Sequence, residues 1–148
     1  MQPEAIELQI VTPQRHVLQE TVLAIEIPGK EGYLGVLPGH APLITELGIG
    51  ILAYRTATTT RYLTIIDGYA EILPNRVIVL AEISEKAEEI DVSRSRAAQE
   101  RAQAELQRLA VGSPEWQEER LAVERAIVRM GAAAKAGIFS APGTGPAH

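Results

Sequence analysis

Apolar and polar residues alternate in short runs through the first 84 positions: Ile6, Leu8 and Ile10 bracket Glu7 and Gln9, and Leu23, Ile25 and Ile27 bracket Ala24 and Glu26. A period of two places successive side chains on opposite faces of an extended chain, so each run predicts a strand with one buried and one wet face. Pro28-Gly29, Pro38-Gly39, Asp67-Gly68 and Pro74-Asn75 punctuate the series, and each dipeptide suits a turn. Short strands at this spacing predict an antiparallel β sandwich whose core is the alternating apolar set.

The pattern changes near Ser84 and Glu85. Val, Ile and Thr supply 26 of the first 84 residues but only 6 of the 46 from Glu85 to Met130, where Ala, Glu, Arg and Gln supply 28. Branching at Cβ suits a pleated surface and the latter four residues suit a helix, so a strand half is joined to a helix half. Asp91 is placed to cap a first helix, along which Ala98, Ala102, Leu106 and Leu109 recur on one face. Gly112 is expected to end it. Ser113 then caps a second helix with Pro114 at its first position and an apolar stripe of Trp116, Val123, Ile127, Met130 and Ala134. The alanine-rich seam buries little area, so at ~25 cal/mol per Å² it holds weakly. The expected organisation is an N-terminal β-sandwich domain over 1–84, a C-terminal α-helical hairpin over 85–134 and, from its Gly, Ala and Pro content, a disordered tail over 135–148.

Composition narrows the function classes. A net charge of −5 without a basic cluster argues against a nucleic-acid surface. The chain has no cysteine, and its histidines His16, His40 and His148 lack ligand spacing, so neither a disulfide framework nor a metal site is expected. No signal sequence opens the chain and no apolar run reaches the ~20 residues of a membrane-spanning helix, which predicts a soluble, cytoplasmic protein. Catalysis finds little support: Gly29-Lys30 lacks the preceding glycine of a phosphate loop, and Asp67, Glu71 and Glu82, the candidates for an acid-base pair, read as solvent-face charges on strands.

Two stretches stand out. From Glu31 to Leu43 the chain spends three glycines and two prolines on one backbone path, with Pro38 and Gly39 suited to the central positions of a type II turn. Leu34, Val36 and Leu37 before the corner, and Ala41, Pro42 and Leu43 after it, make the segment apolar, either as a buried corner or as a docking surface. His40 there reads as a hydrogen-bonded structural residue or as a group titrating at a partner surface. In the helical half, Arg125 and Arg129 stand four apart on one face, and folding about residues 112–114 brings Arg94 and Arg101 to their level. Four guanidinium groups then suit a polyphosphate, while the same pattern also describes an exposed helix with loosely paired arginines.

The run GYLGVLPGHAPL from Gly32 to Leu43 resembles the corresponding segment of the epsilon subunit of bacterial F-type ATP synthases. The resemblance continues through Leu8-Gln9-Ile10-Val11-Thr12-Pro13, Gly68-Tyr69-Ala70-Glu71-Ile72, Val77-Ile78-Val79-Leu80-Ala81 and Ile90-Asp91-Val92-Ser93-Arg94, in the family's order from about Glu7 to Met130. It implies a non-catalytic central-stalk subunit on the cytoplasmic face of the bacterial inner membrane. Its sandwich would bind the gamma subunit and the ring of c subunits, with Tyr33, Leu34, Val36 and His40 on the ring side. Its hairpin would switch between a folded form and an extended form that reaches the alpha and beta subunits and suppresses ATP hydrolysis. No cofactor is implied. ATP enters as a regulatory ligand that is not hydrolysed, because Glu85, Asp91, Arg94, Arg101, Arg125 and Arg129 fall on positions of an ATP-binding motif; Ser95 departs from it, where the motif has alanine. The competing reading is a free-standing ATP-sensing module.

Overall fold

The computed structural model describes residues 3–138, which form two compact units, one reaching Lys86 and one starting at Ala87. The first unit holds seven strands: β1 (Ile6–Val11), β2 (His16–Val22), β3 (Ala24–Gly29), β4 (Gly32–Val36), β5 (Leu43–Arg55), β6 (Thr60–Leu73) and β7 (Arg76–Ile83). They form one hydrogen-bonded sheet in the order β2-β1-β7-β6-β5-β3-β4. The strands pair antiparallel as expected except at one place, where β1 and β7 run parallel, Leu8 beside Val77 and Ile10 beside Val79. Alternation fixes which face of a strand is buried and says nothing about the direction of its neighbour.

Two long strands turn this sheet into two layers. On β6 the inward residues are Leu63 and Ile65 before residue 67 but Ala70 and Ile72 after it, so the buried parity flips; β5 flips likewise between Leu47 and Leu52. The flips occur at facing positions, Leu47 beside Gly68. Asp67 and Gly68 both have positive φ, and a Cβ on Gly68 would collide with the Leu80 carbonyl oxygen, so only glycine passes this corner. Asp67-Gly68 is therefore a bend inside a 14-residue strand and not the turn its composition suggested. Pro28-Gly29 likewise closes β3 within the ladder, whereas Pro38-Gly39 and Pro74-Asn75 are turns. The Tyr54 hydroxyl on β5 donates to Glu20 on β2 at 3.3 Å although three strands separate them in the sheet order, which shows the two layers meeting face to face. One core fills the space between, with Ile6, Leu8, Ile10, Ile27, Leu47, Leu52, Leu63, Ile65, Ile72 and Val77 fully buried.

The second unit begins with a 3-10 turn (Ala87–Glu89) and continues as α1 (Val92–Arg108) and α2 (Pro114–Lys135), which pack against each other. Both N-termini are capped as their sequences require: Asp91 accepts from the Arg94 N–H and Ser113 from the Trp116 N–H, with Pro114 opening α2. The first helix ends at Arg108, earlier than Gly112, which instead sits in a turn closed by the Ser113 N–H on the Ala110 carbonyl. On α2 the expected stripe holds in part, with Trp116, Val123 and Met130 half-buried. Ile127 and Ala134 are exposed, while Ala126, Ala132 and Ala133 are buried, because the small residues permit the closer approach. Lys135 is still helical and Ala136–Ile138 close the helix by bonds to carbonyls of residues 132–134; the rest of the expected tail lies outside the described residues.

Candidate functional site

The glycine-proline segment divides into a strand and a corner. Residues 32–36 form β4, paired with β3 so that Val36 faces Ile25 and Leu34 faces Ile27. Pairing decides their availability. Val36 is 1% exposed and belongs to the core, so it presents nothing to a partner, contrary to its expected place on a docking face. Leu34 is half-buried against the same core. Tyr33 keeps an exposed ring, but its hydroxyl accepts from the Ile51 N–H at 2.8 Å, over Gly50, whose missing side chain leaves room for it. That bond satisfies a backbone donor where the β3–β5 register shifts, between Glu26 and Gly29.

The corner itself is held from two sides. The His40 N–H donates to the Leu37 carbonyl at 3.1 Å and Gly39 has φ of +88°, the geometry expected of Pro38-Gly39 in a type II turn. The Gly39 N–H donates to the Pro74 carbonyl at 2.7 Å, and the Glu7 N–H to that of Asn75, so the corner, the β6–β7 turn and the start of β1 are tied at one end of the sandwich. His40 Nδ1 lies 2.6 Å from the Ala41 carbonyl oxygen and donates to it, the structural role open to this residue from sequence. What the corner leaves to solvent is apolar: Leu37 at 62% and Ile44 at 71%, with Ala41, Pro42 and Leu43 between them.

The apolar surface continues on the outer face of the sheet. Cross-strand pairing sets Val11, Leu80, Tyr69 and Glu46 in one row, and Gln9, Ile78, Glu71 and Ile44 in the next. Tyr69 and Leu80 are more than half exposed. These residues escaped the sequence reading, which sought docking residues only in the glycine-proline run. Their signal was present in the alternation, since Tyr69 and Leu80 hold positions where a wet face should carry polar groups. At the edge of this area Lys30 Nζ lies 3.1 Å from Glu46, and that bond, with the attraction of the carboxylate, raises the lysine pKa above its ordinary value.

The six residues proposed for ATP are distributed over both units. Glu85 lies in the first, half-buried, its backbone bonded to Thr64. In the second, Asp91 spends Oδ1 on the Arg94 N–H at 3.0 Å, so the pair is joined through a helix cap. Arg94 and Arg101 stand exposed on α1, and Arg125 and Arg129 are half-buried on α2, beside the buried Ala126. Glu85 and Arg129 each have an interaction within the chain already. Ser95, the departure from the motif, is buried. Among the described residues no group of His, Cys, Asp or Glu is arranged to hold a metal, and no helix is long and apolar enough to cross a membrane.

Comparison with known proteins follows the same division. Residues 5–87 match the family model for the β-sandwich domain of the ATP synthase delta/epsilon chain. The chain is 49% identical to the ATP synthase epsilon chain of Koribacter versatilis over 76% of its own length and 77% of that protein. It is 44% identical to the epsilon chain of Syntrophobacter fumaroxidans over 89% of its length and 98% of the relative, a span that includes the hairpin. Among solved structures it resembles a chain of the Euglena gracilis mitochondrial ATP synthase, described as OSCP/F1/c-ring in rotational state 1, with a TM-score of 0.75, 27% identity and coverage of 91% of this chain and 82% of the other.

Proposed function

Because the chain belongs to the epsilon-chain family of ATP synthases, we propose that it acts as a non-catalytic rotor subunit that couples a rotating c ring to the catalytic hexamer and restrains ATP hydrolysis. Its sandwich grips the gamma shaft and the c ring at the cytoplasmic face of the membrane, and its hairpin regulates, reaching the alpha and beta subunits when extended. One observation carries the docking part of this reading: a hydrogen-bonded corner holds Leu37, Leu43 and Ile44 in solvent, continuous with the exposed Tyr69 and Leu80. Large apolar groups fixed outward on a rigid sheet gain nothing in the free chain and mark a surface to be covered. The Euglena relative, resolved in an assembly with a c-ring, supports the same partner class. Leu37→Asp is expected to weaken ATP-driven proton pumping in reconstituted vesicles while the subunit stays folded and bound to the shaft. Unchanged pumping by the folded variant would remove the corner from the coupling surface.

The regulatory ligand is ATP, bound without hydrolysis. Arg125 and Arg129 on α2 and Arg94 and Arg101 on α1 support this reading, since phosphates bridge the two helices only while these lie side by side. Such a ligand favours the folded hairpin, by ~2.7 kcal/mol at 100 times its dissociation constant. Calorimetric titration of the whole chain is expected to show saturable binding that Arg94→Ala and Arg129→Ala weaken. No binding at millimolar ATP, or equal binding by both variants, leaves the hairpin as a switch governed by partners alone. A free-standing sensor lacks support, as it would have no use for the exposed corner.

A further inference from the structure

The sheet keeps hold of the chain beyond its last strand. Thr64 on β6 is fully buried, and it grips Glu85 twice: its N–H donates to the Glu85 carbonyl at 2.9 Å, and its Oγ1 accepts from the Glu85 N–H at 3.0 Å. Leu63 and Lys86 add an antiparallel bridge beside this pair. Both backbone groups of Glu85 are thereby committed to the sandwich. At the next residue the allegiance changes, because Ala87 opens the 3-10 turn, which closes with the Ile90 N–H on the Ala87 carbonyl at 3.2 Å and packs against α2. No unattached linker separates the two holds.

We propose that Thr64 is the positioning residue for the hairpin's pivot: residues up to Lys86 stay on the sheet in every state, and the backbone rotations that move the hairpin are confined to Lys86 and Ala87. The proposal rests on the hairpin being the regulatory part. Its physical basis is the unequal price of the possible hinge points. Rotating at Ser84 or Glu85 breaks two hydrogen bonds to a buried threonine and strands its hydroxyl and N–H, whereas rotating after Lys86 breaks neither. A short, fixed pivot also sets the arc along which the helices travel, since each freed residue adds about 3.3 Å of tether.

Hydrogen exchange of the whole chain, read residue by residue, tests this. In the wild type the Glu85 amide should be protected to the degree of its β6–β7 neighbours. Thr64→Val, which keeps the shape and removes the acceptor, should speed Glu85 exchange roughly tenfold, the equivalent of one lost hydrogen bond, and Thr64→Ser should restore protection. In the reconstituted synthase, Thr64→Val should lose part of the subunit's inhibition of ATP hydrolysis and Thr64→Ser should not. Rapid Glu85 exchange in the wild type, or Glu85 exchange unaffected by Thr64→Val, would overturn the pivot. Accelerated exchange with undiminished inhibition would overturn the role assigned to it. Absence of inhibition by the wild type would instead defeat the regulatory reading beneath it.

Discussion

The two units are held together by different kinds of residue. The sandwich buries large branched side chains completely, Ile6, Leu8, Ile27, Leu52 and Ile65 among them, each worth about 1.5–3 kcal/mol in transfer from water. Apart from Ile90 and Val92 at its start, the hairpin buries small residues, Ser95, Ala102, Ala126, Ala132 and Ala133, which bring helices close but contribute far less apiece. Its definition is local instead, with a side-chain cap at the start of each helix and alanine propensity along both. The sandwich depends on pairings distant in sequence, such as β1 beside β7. A body made by long-range register resists deformation, whereas helices with their own caps have their limits defined locally. That contrast suits the rotor subunit with a regulatory hairpin proposed above.

The comparison is broken most severely at the corner of β6. Gly68→Val puts a branched side chain against the Leu80 carbonyl at a positive φ, and a loss on the order of 4 kcal/mol or more is expected in urea denaturation. A folded variant of normal stability would mean that the sheet turns its corner elsewhere. Next come matched truncations in the two units. Ile65→Ala should destabilise the sandwich by about 3–4 kcal/mol, whereas Leu106→Ala, at a half-buried position on α1, should cost about 1 kcal/mol. Equal losses would erase the distinction between body and appendage.

A smaller effect is expected from Asp91→Ala, which removes the α1 cap and should lower stability by about 1 kcal/mol, with reduced helical signal in circular dichroism and an unchanged sheet. The least effect belongs to the exposed Lys30–Glu46 pair. The lysine pKa is raised in the folded chain, so its contribution is complete below the ordinary lysine value of 10.5 and disappears as pH rises through the folded value. Lys30→Met should cost a small, constant amount below that range and flatten the pH dependence of stability only within it, and an alkaline slope left unchanged by the substitution would remove the pair from the stability of the sheet.

Much of this architecture is legible in the residues, for identifiable reasons. Asp91 and Ser113 announce helix starts because capping is local chemistry, and Pro38-Gly39 announces its turn because φ is restricted there. Asp67-Gly68 misleads, since the same positive φ that suits a turn also suits a corner within a strand, and only the facing Leu80 backbone distinguishes them. Val36 misleads in a related way. An apolar residue in a glycine-rich run serves core or surface equally until its pairing with Ile25 is known. The hold of the sheet on Glu85 has no compositional mark, because the partner, Thr64, is 21 residues away.

The proposed division between coupling body and regulatory hairpin is tested most directly by ATP hydrolysis and proton pumping in a reconstituted synthase carrying either the whole chain or a chain ending at Lys86. The shortened subunit is expected to bind the shaft and sustain ATP-driven pumping, with hydrolysis faster than in the complex with the whole chain. Failure of the shortened chain to assemble, or hydrolysis equal in the two complexes, would contradict the account.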